Sequence, residues 1–262
     1  MKRLLIVAGS DSGGGAGLQA DIKTATAYGV YATTAVTAVT VQDTRGVHGV
    51  HAIPDETIAA QMRVVLEDIG TDAVKTGMLH SAGTIAAVAA EIARGAGEKP
   101  LVVDPVMVAK GGARLIDDTA IAAMKKLLLP QATLLTPNAP EAAALLGGAE
   151  LTTQRDLIVA GRGLRGLGAK AVLMKGGHLA GDMVFDALIS EEGEEVFASP
   201  RLRTAHTHGT GCTLASAIAS NLALGRPLKD AVKAARSYVQ QAIAAAPGLG
   251  HGHGPLNHMV KA

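Results

Sequence analysis

The chain has 262 residues, 24 basic and 23 acidic side chains, a net charge of +1 and one cysteine. That length buries a core without disulfides or metal. The even charge, the 2% aromatic content and the lack of Trp argue against a nucleic-acid or acidic-lipid partner, which needs a concentrated positive field or rings for stacking. One cysteine makes no internal disulfide, which fits a reducing cytoplasm. The apolar stretch Leu4 to Ala8 is too short for a signal peptide, and no stretch approaches the ~18 apolar residues of a membrane span.

The first predicted strand is RLLIVAG, 3–9, followed by a glycine turn and a helix over 15–28. A strand over 33–41, a helix over 55–69, a strand over 72–79 and a helix over 81–94 come next. A strand over 100–107, a helix over 117–128, a strand over 132–138, helices over 138–146 and 153–167 and a strand over 170–177 complete the alternation. Pro54-Asp55-Glu56 places acidic residues at a first helical turn, where the helix dipole favours them. The strands are nearly continuous in apolar character, the mark of strands buried on both faces. Later, 183–190 and 194–202 flank Glu191-Glu192-Gly193 and read as a hairpin. Helices over 210–224 and 228–245 close the chain. The pattern predicts one α/β domain over 1–262: a mostly parallel sheet between helix layers, with an antiparallel edge hairpin.

In such sheets ligands bind beyond the carboxyl ends of the strands. The residues delivered there are Ser10, Asp11 and glycines 13–15 and 17; Gln42 and Asp43; Lys75, Gly77 and Met78; Asp104 and Lys110; Asn138 and Glu141; Lys175 and His178. AGSDSGGGAGLQAD lacks both the P-loop and the dinucleotide spacing, so it reads as a tight turn or as bare backbone that a small substrate approaches. THGTGC says more. Gly209 and Gly211 let N–H groups converge at a helix start, an anion hole, and Cys212 stands in its first turn, where a thiol pKa tends to fall. A small buried capping residue is the plainer reading of that cysteine. Asn138 and Glu141, at i and i+3, serve either as a helix cap or as ligands that hold Mg²⁺ through water. Lys175 is either a surface lysine or a mobile charge for phosphates. The nine histidines show no zinc spacing, and the glycine-rich tail is expected to form a lid or loop near the site.

Eight segments taken together, AGSDSGGGAGLQADIKT, TAVTVQDTRGV, VKTGMLHS, VVDPVMVAKGG, the stretch beginning LLTPNAPEAA, VLMKGGH, HTHGTGCTLASAIA and GHGHGPLNH, resemble the hydroxymethylpyrimidine/phosphomethylpyrimidine kinase family of thiamine biosynthesis. The resemblance runs in order from about residue 3 to residue 258. It implies a ribokinase-like three-layer fold and two phosphorylations by ATP, of 4-amino-5-hydroxymethyl-2-methylpyrimidine and then of its monophosphate. It implies that Gln42 bonds the aminopyrimidine edge, and that Asp21, Met78, Val106 and the backbone at Gly9 and Gly17 line that pocket. It places Asp104, Asn138 and Glu141 on the Mg-ATP side, with Asp104 and Glu141 toward Mg²⁺. Lys175 then touches phosphates, and Gly209, Thr210, Gly211 and Cys212 form the anion hole and catalytic position. ATP and Mg²⁺ are the implied cofactors, a monovalent cation is left open, and a homodimer is the implied assembly. His206 departs from the family pattern, in which Asn or Asp often stands. Three rivals remain: a pyridoxal or pyridoxine kinase on the same fold, a non-catalytic sensor, and a cysteine hydrolase with His206 or His208 as base.

Overall fold

The computed structural model describes residues 1–108, 115–148 and 150–262. Strand β1 (Arg3–Asp11) leads through α1 (Gly17–Ala27) to β2 (Tyr31–Gln42), which turns back as β3 (Val47–Ala52). There follow α2 (Asp55–Asp68), β4 (Ala73–Thr76), α3 (Ala82–Gly95), β5 (Leu101–Val103), α4 (Asp118–Ala123), β6 (Leu134–Leu135), α5 (Ala139–Leu146), α6 (Gln154–Arg165) and β7 (Val172–Met174). A hairpin of β8 (Met183–Ser190) and β9 (Gly193–Pro200) precedes α7 (Thr210–Ala223) and α8 (Leu228–Ala244).

Among the described residues the strands form one nine-stranded sheet in the order β3-β2-β1-β4-β5-β6-β7-β8-β9. The six from β2 to β7 in that order are parallel, and β3 and the β8–β9 hairpin make antiparallel edges. Successive side chains on a strand face opposite ways. Leu5 and Val7 of β1 therefore join the core with Ile58, Ile85 and Leu157, under α2, α3 and α6. Leu4 and Ile6 join the other core with Leu18, Ile218 and Tyr238, under α1, α7 and α8. Both faces are covered, which explains the uninterrupted apolar runs.

Helix α7 is buried continuously from Thr213 to Asn221 and again at Ala223. Its small residues, Ala215, Ser216, Ala217, Ala219 and Ser220, let it lie close across β1, β4 and β5. Its first turn thereby reaches the carboxyl ends of the central strands. The strand order reverses between β1 and β4, and that reversal opens the ligand crevice of parallel sheets.

Three expectations need correction. Strand β3 was not foreseen: VHGVHA has little apolar character and is mostly exposed, because only β2 holds it in the sheet. The strands predicted over 100–107, 132–138 and 170–177 end at Val103, Leu135 and Met174. Beyond those points the chain leaves the sheet, which frees Asp104, Asn138 and Lys175 to point into the crevice. The helix predicted over 117–128 is α-helical to Ala123 and continues as a wider π-turn over Met124–Leu128.

Candidate active site

Gly209 caps α7 in the left-handed region, φ 81°. A Cβ there would collide with the Gly15 carbonyl oxygen, so the chain before α7 crosses the loop after β1 at backbone contact. No side chain caps α7. The Thr210 N–H donates to the Thr207 carbonyl at 3.4 Å, so the N–H groups of Gly211 and Cys212 are the ones open to a ligand, and the helix dipole favours an anion there. Thr210 turns its hydroxyl back to the Thr207 carbonyl at 2.8 Å.

Gly211 brings the charged groups over this helix start. A Cβ on it would stand 3.3 Å from Lys175 Nζ and 3.8 Å from Asp104 Oδ2. Lys175 Nζ donates to Asp104 Oδ1 at 2.9 Å and lies 3.7 Å from Glu141 Oε2. Burial opposes the Lys175 charge, but Asp104 and Glu141 outweigh it and hold the ammonium firmly protonated. Burial, aided by the Asp104 charge, raises Glu141 to about 7 against the pull of Lys175. Asn138 and Glu141 also form a full capping box on α5: Asn138 Oδ1 accepts from Glu141 N at 2.9 Å, and Glu141 Oε2 accepts from Asn138 N at 2.8 Å. The capping reading of this pair therefore holds, and the same carboxylate borders Lys175.

Cys212 requires the main correction. The sequence predicts a lowered thiol pKa; burial instead pushes it up to about 12. Lys75 pulls the other way, but the charges of Asp21 and Asp104 add to the rise. A helix start offers roughly half a charge, less than the desolvation it would have to offset.

Asp21 is the second correction. It does not line the cavity. It is fully buried beneath it, where it accepts from Lys75 Nζ at 2.7 Å and from Ser216 Oγ at 2.7 Å. Ser216 is one turn beyond Cys212, so this ion pair underlies the thiol. Lys75, noted from sequence only as a rim residue, is the cation of that pair and reaches the cavity wall.

The glycine loop after β1 is not an open phosphate cradle. Asp11 closes it, accepting from the N–H groups of Gly13 (2.8 Å), Gly15 (3.0 Å) and Ala16 (2.8 Å). His208 Nε2 meets the same carboxylate at 2.9 Å. Burial works against the Asp11 charge, yet His208 and the backbone donors hold its pKa below the usual carboxylate value. Sequence reasoning missed this partnership; Asp11 ahead of a glycine run was the only local sign of it.

A cavity of about 860 Å³ joins these parts. Gly9, Gly17, Gln42, Met78 and Val106 line it, together with Asp104, Asn138, Glu141, Lys175 and Gly209 to Cys212. Met78 packs where Gly9 lacks a side chain, with a Cβ there 3.4 Å from its Sδ. Lys110 lies outside the described residues. The tail is a loop near the site, as expected, held there by His208 N donating to Gly254 O at 3.1 Å and His253 N to Thr44 O at 2.7 Å. His206 is enclosed by that tail, close to Gly254.

A family model described as phosphomethylpyrimidine kinase matches residues 11–257. This chain belongs to that family. Among phosphomethylpyrimidine kinase relatives, it is 49% identical over 255 residues to the hydroxymethylpyrimidine/phosphomethylpyrimidine kinase of Streptomyces coelicolor, covering 97% of this chain and 93% of that one. It is 52% identical over 260 residues to the thiamine biosynthesis bifunctional protein ThiED of Geobacter sulfurreducens; this spans 99% of the chain but only 52% of that longer protein. The fold is similar to that of Bacillus subtilis pyridoxal kinase in an ADP complex, with a TM-score of 0.92 at 39% identity, covering 98% of this chain and 97% of that one. The ribokinase-like three-layer reading is therefore correct.

Proposed function

We propose that this chain, as a single domain over 1–262, transfers the γ-phosphoryl group of ATP to the hydroxymethyl group of 4-amino-5-hydroxymethyl-2-methylpyrimidine, and then a second phosphoryl group to the monophosphate. The observation that carries this reading is one cavity holding the uncapped start of α7, the Lys175 ammonium and the Gln42 amide. Membership of the phosphomethylpyrimidine kinase family supports the substrate, and the ADP complex of the pyridoxal kinase relative supports the nucleotide.

Phosphoryl transfer passes through a loose transition state in which positioning and charge stabilisation do most of the catalysis. Gln42 and Met78 hold the ring, and the N–H groups of Gly211 and Cys212 with Lys175 face the transferred group. The alcohol oxygen bonds to phosphorus as the bond to the ADP oxygen breaks. A protonated Cys212 is no ready-made base, so we assign it a relay: its sulfur takes the alcohol proton while its own proton passes to an oxygen of the transferred group. Asp104 and Glu141 offer hard carboxylate oxygens on the phosphate side, the donor type that suits Mg²⁺, and their excess negative charge around one lysine fits a divalent cation. Asp104 and Glu141 would hold Mg²⁺, which when bound would neutralise charge on the phosphates.

The likeness to pyridoxal kinase favours one second reading, phosphorylation of pyridoxal at the same site. ADP release measured with each alcohol decides between them: kcat/KM for the pyrimidine is expected to exceed that for pyridoxal by at least tenfold, and the reverse order would move the function to pyridoxal. We also propose a cytoplasmic homodimer built on the outer side of β2, where Val39 and Val41 are 45% and 62% exposed. Light scattering at twice 26.4 kDa is the expected result.

A further inference from the structure

The Gln42 amide sits between two groups whose hydrogens decide how it is turned. One end lies 3.1 Å from Thr40 Oγ1 and the other 3.3 Å from His208 Nε2. His208 Nε2 also stands 2.9 Å from Asp11 Oδ2. A carboxylate only accepts, so this nitrogen carries a hydrogen whichever form the ring takes. It has no lone pair for Gln42. With Nε2 of Gln42 against it, donor would face donor.

The amide ends have nearly the same shape, so hydrogen bonding decides between them. Turned by half a turn, Gln42 Oε1 accepts from His208 Nε2–H, shared with Asp11. Gln42 Nε2 then donates to Thr40 Oγ1, whose own hydrogen goes to the Ser10 carbonyl at 2.9 Å. Every group is satisfied in that arrangement. The parts are rigid: His208 is 6% exposed and Asp11 2%, and Asp11 is gripped by three backbone N–H groups. A Cβ on Gly15 would lie 2.6 Å from the His208 ring, so the ring has no room to turn away.

We propose that His208, anchored by Asp11, is a positioning residue that locks the Gln42 amide with its carbonyl toward residue 208 and its NH2 toward Thr40. The lock fixes the order of donor and acceptor that an aromatic ligand edge must present. A ring amino group binds on the His208 side and a ring nitrogen acceptor on the Thr40 side. A ring without that adjacent pair covers this half-buried amide and leaves it partly unsatisfied, which is how polar sites reject near-isosteres. This inference rests on the aminopyrimidine reading above.

The test is a double-mutant cycle with two substrates, 4-amino-5-hydroxymethyl-2-methylpyrimidine and its analogue with hydrogen in place of the amino group. His208→Leu is expected to lower kcat/KM for the amino compound about tenfold, chiefly through KM, and to change the analogue less than threefold. His208→Gln, which keeps a donor at similar reach, restores most of the loss. In a Gln42→Ala background, His208→Leu adds nothing. An equal loss for both substrates, or an additive loss in the Gln42→Ala background, overturns the proposal. Because His208→Leu also removes one partner of Asp11, the Gln42 side-chain amide resonances of the ligand-free protein provide a second readout. They are expected to shift in His208→Leu and return in His208→Gln; unchanged resonances overturn the lock. If the wild type phosphorylates neither pyrimidine, the aminopyrimidine reading fails by itself, and these resonances still decide the lock.

Discussion

Cys212 sits where opposing influences meet. The start of α7 and Lys75 favour a thiolate, while burial beside Asp21 and Asp104 favours the thiol and carries it to about 12. As the only cysteine, it gives an unmixed alkylation signal. Iodoacetamide is expected to react with it more slowly at pH 8 than with a free cysteine, and with no titration between pH 6 and 9; a midpoint near 7 would restore the ionised base. Cys212→Ala separates the two phosphorylations. The first acceptor is an alcohol that must lose a proton; the second is a phosphate monoester, already largely ionised at pH 7.5 because its second pKa is about 6. The variant is therefore expected to lose at least tenfold in kcat on the alcohol and markedly less on the monophosphate. A loss of under threefold on the alcohol, below about 1 kcal/mol, would end the relay. The buried Lys75–Asp21 pair makes a separate prediction. Lys75→Met strands a carboxylate and is expected to cost about 3–5 kcal/mol in denaturant unfolding, and adding Asp21→Leu is expected to recover most of it.

Glycine is required at positive φ for two distinct reasons that a pair of variants can separate. Gly225 has φ 85° with nothing near its missing Cβ, whereas Gly209 has φ 81° and the Gly15 carbonyl in the way. Gly225→Ala is expected to cost about 1 kcal/mol from backbone conformation alone. Gly209→Ala is expected to cost more and to lower kcat as well, because the start of α7 must shift. Equal costs would mean that the crossing is loose. Elements such as β1 and α7 were legible in sequence because burial on all sides leaves an unbroken apolar or small-residue run. β3 was not, since its place depends on pairing with β2 and hardly on its own side chains. The uncapped start of α7 was legible because Gly209 and Gly211 are local to it. The Asp11–His208 contact was not, because its partners stand 197 residues apart in the chain. The Asp21 position failed for a related reason: a helix residue can face the pocket or the layer beneath it, and only Lys75 arriving from β4 decides which.

Folding ties the tail to helix α7, and this gives stability a pH dependence. His258 bonds Thr213 Oγ1 at 2.9 Å, and burial, helped by the Lys23 charge, lowers it to about 4. Between pH 6.5 and about 4 the unfolded chain takes a proton that the folded chain refuses, so stability falls as pH drops through that window. Glu141, raised to about 7, acts with the opposite sign: its folded form keeps a proton longer, so it costs stability as pH rises from 4.5 to 7. The two contributions offset each other in the native protein. His258→Gln should therefore remove the acid-side loss, worth up to about 3 kcal/mol, and leave stability declining with rising pH over the same range. An unchanged profile in thermal unfolding would place His258 outside this linkage.

The proposed function requires two successive phosphoryl transfers to one pyrimidine in one cavity. Mass spectrometry of the products formed from Mg-ATP and 4-amino-5-hydroxymethyl-2-methylpyrimidine tests this most directly. A monophosphate is expected to appear first and then to be converted to a diphosphate by the same protein. No phosphorylated pyrimidine, alongside a monophosphate from pyridoxal, would contradict it.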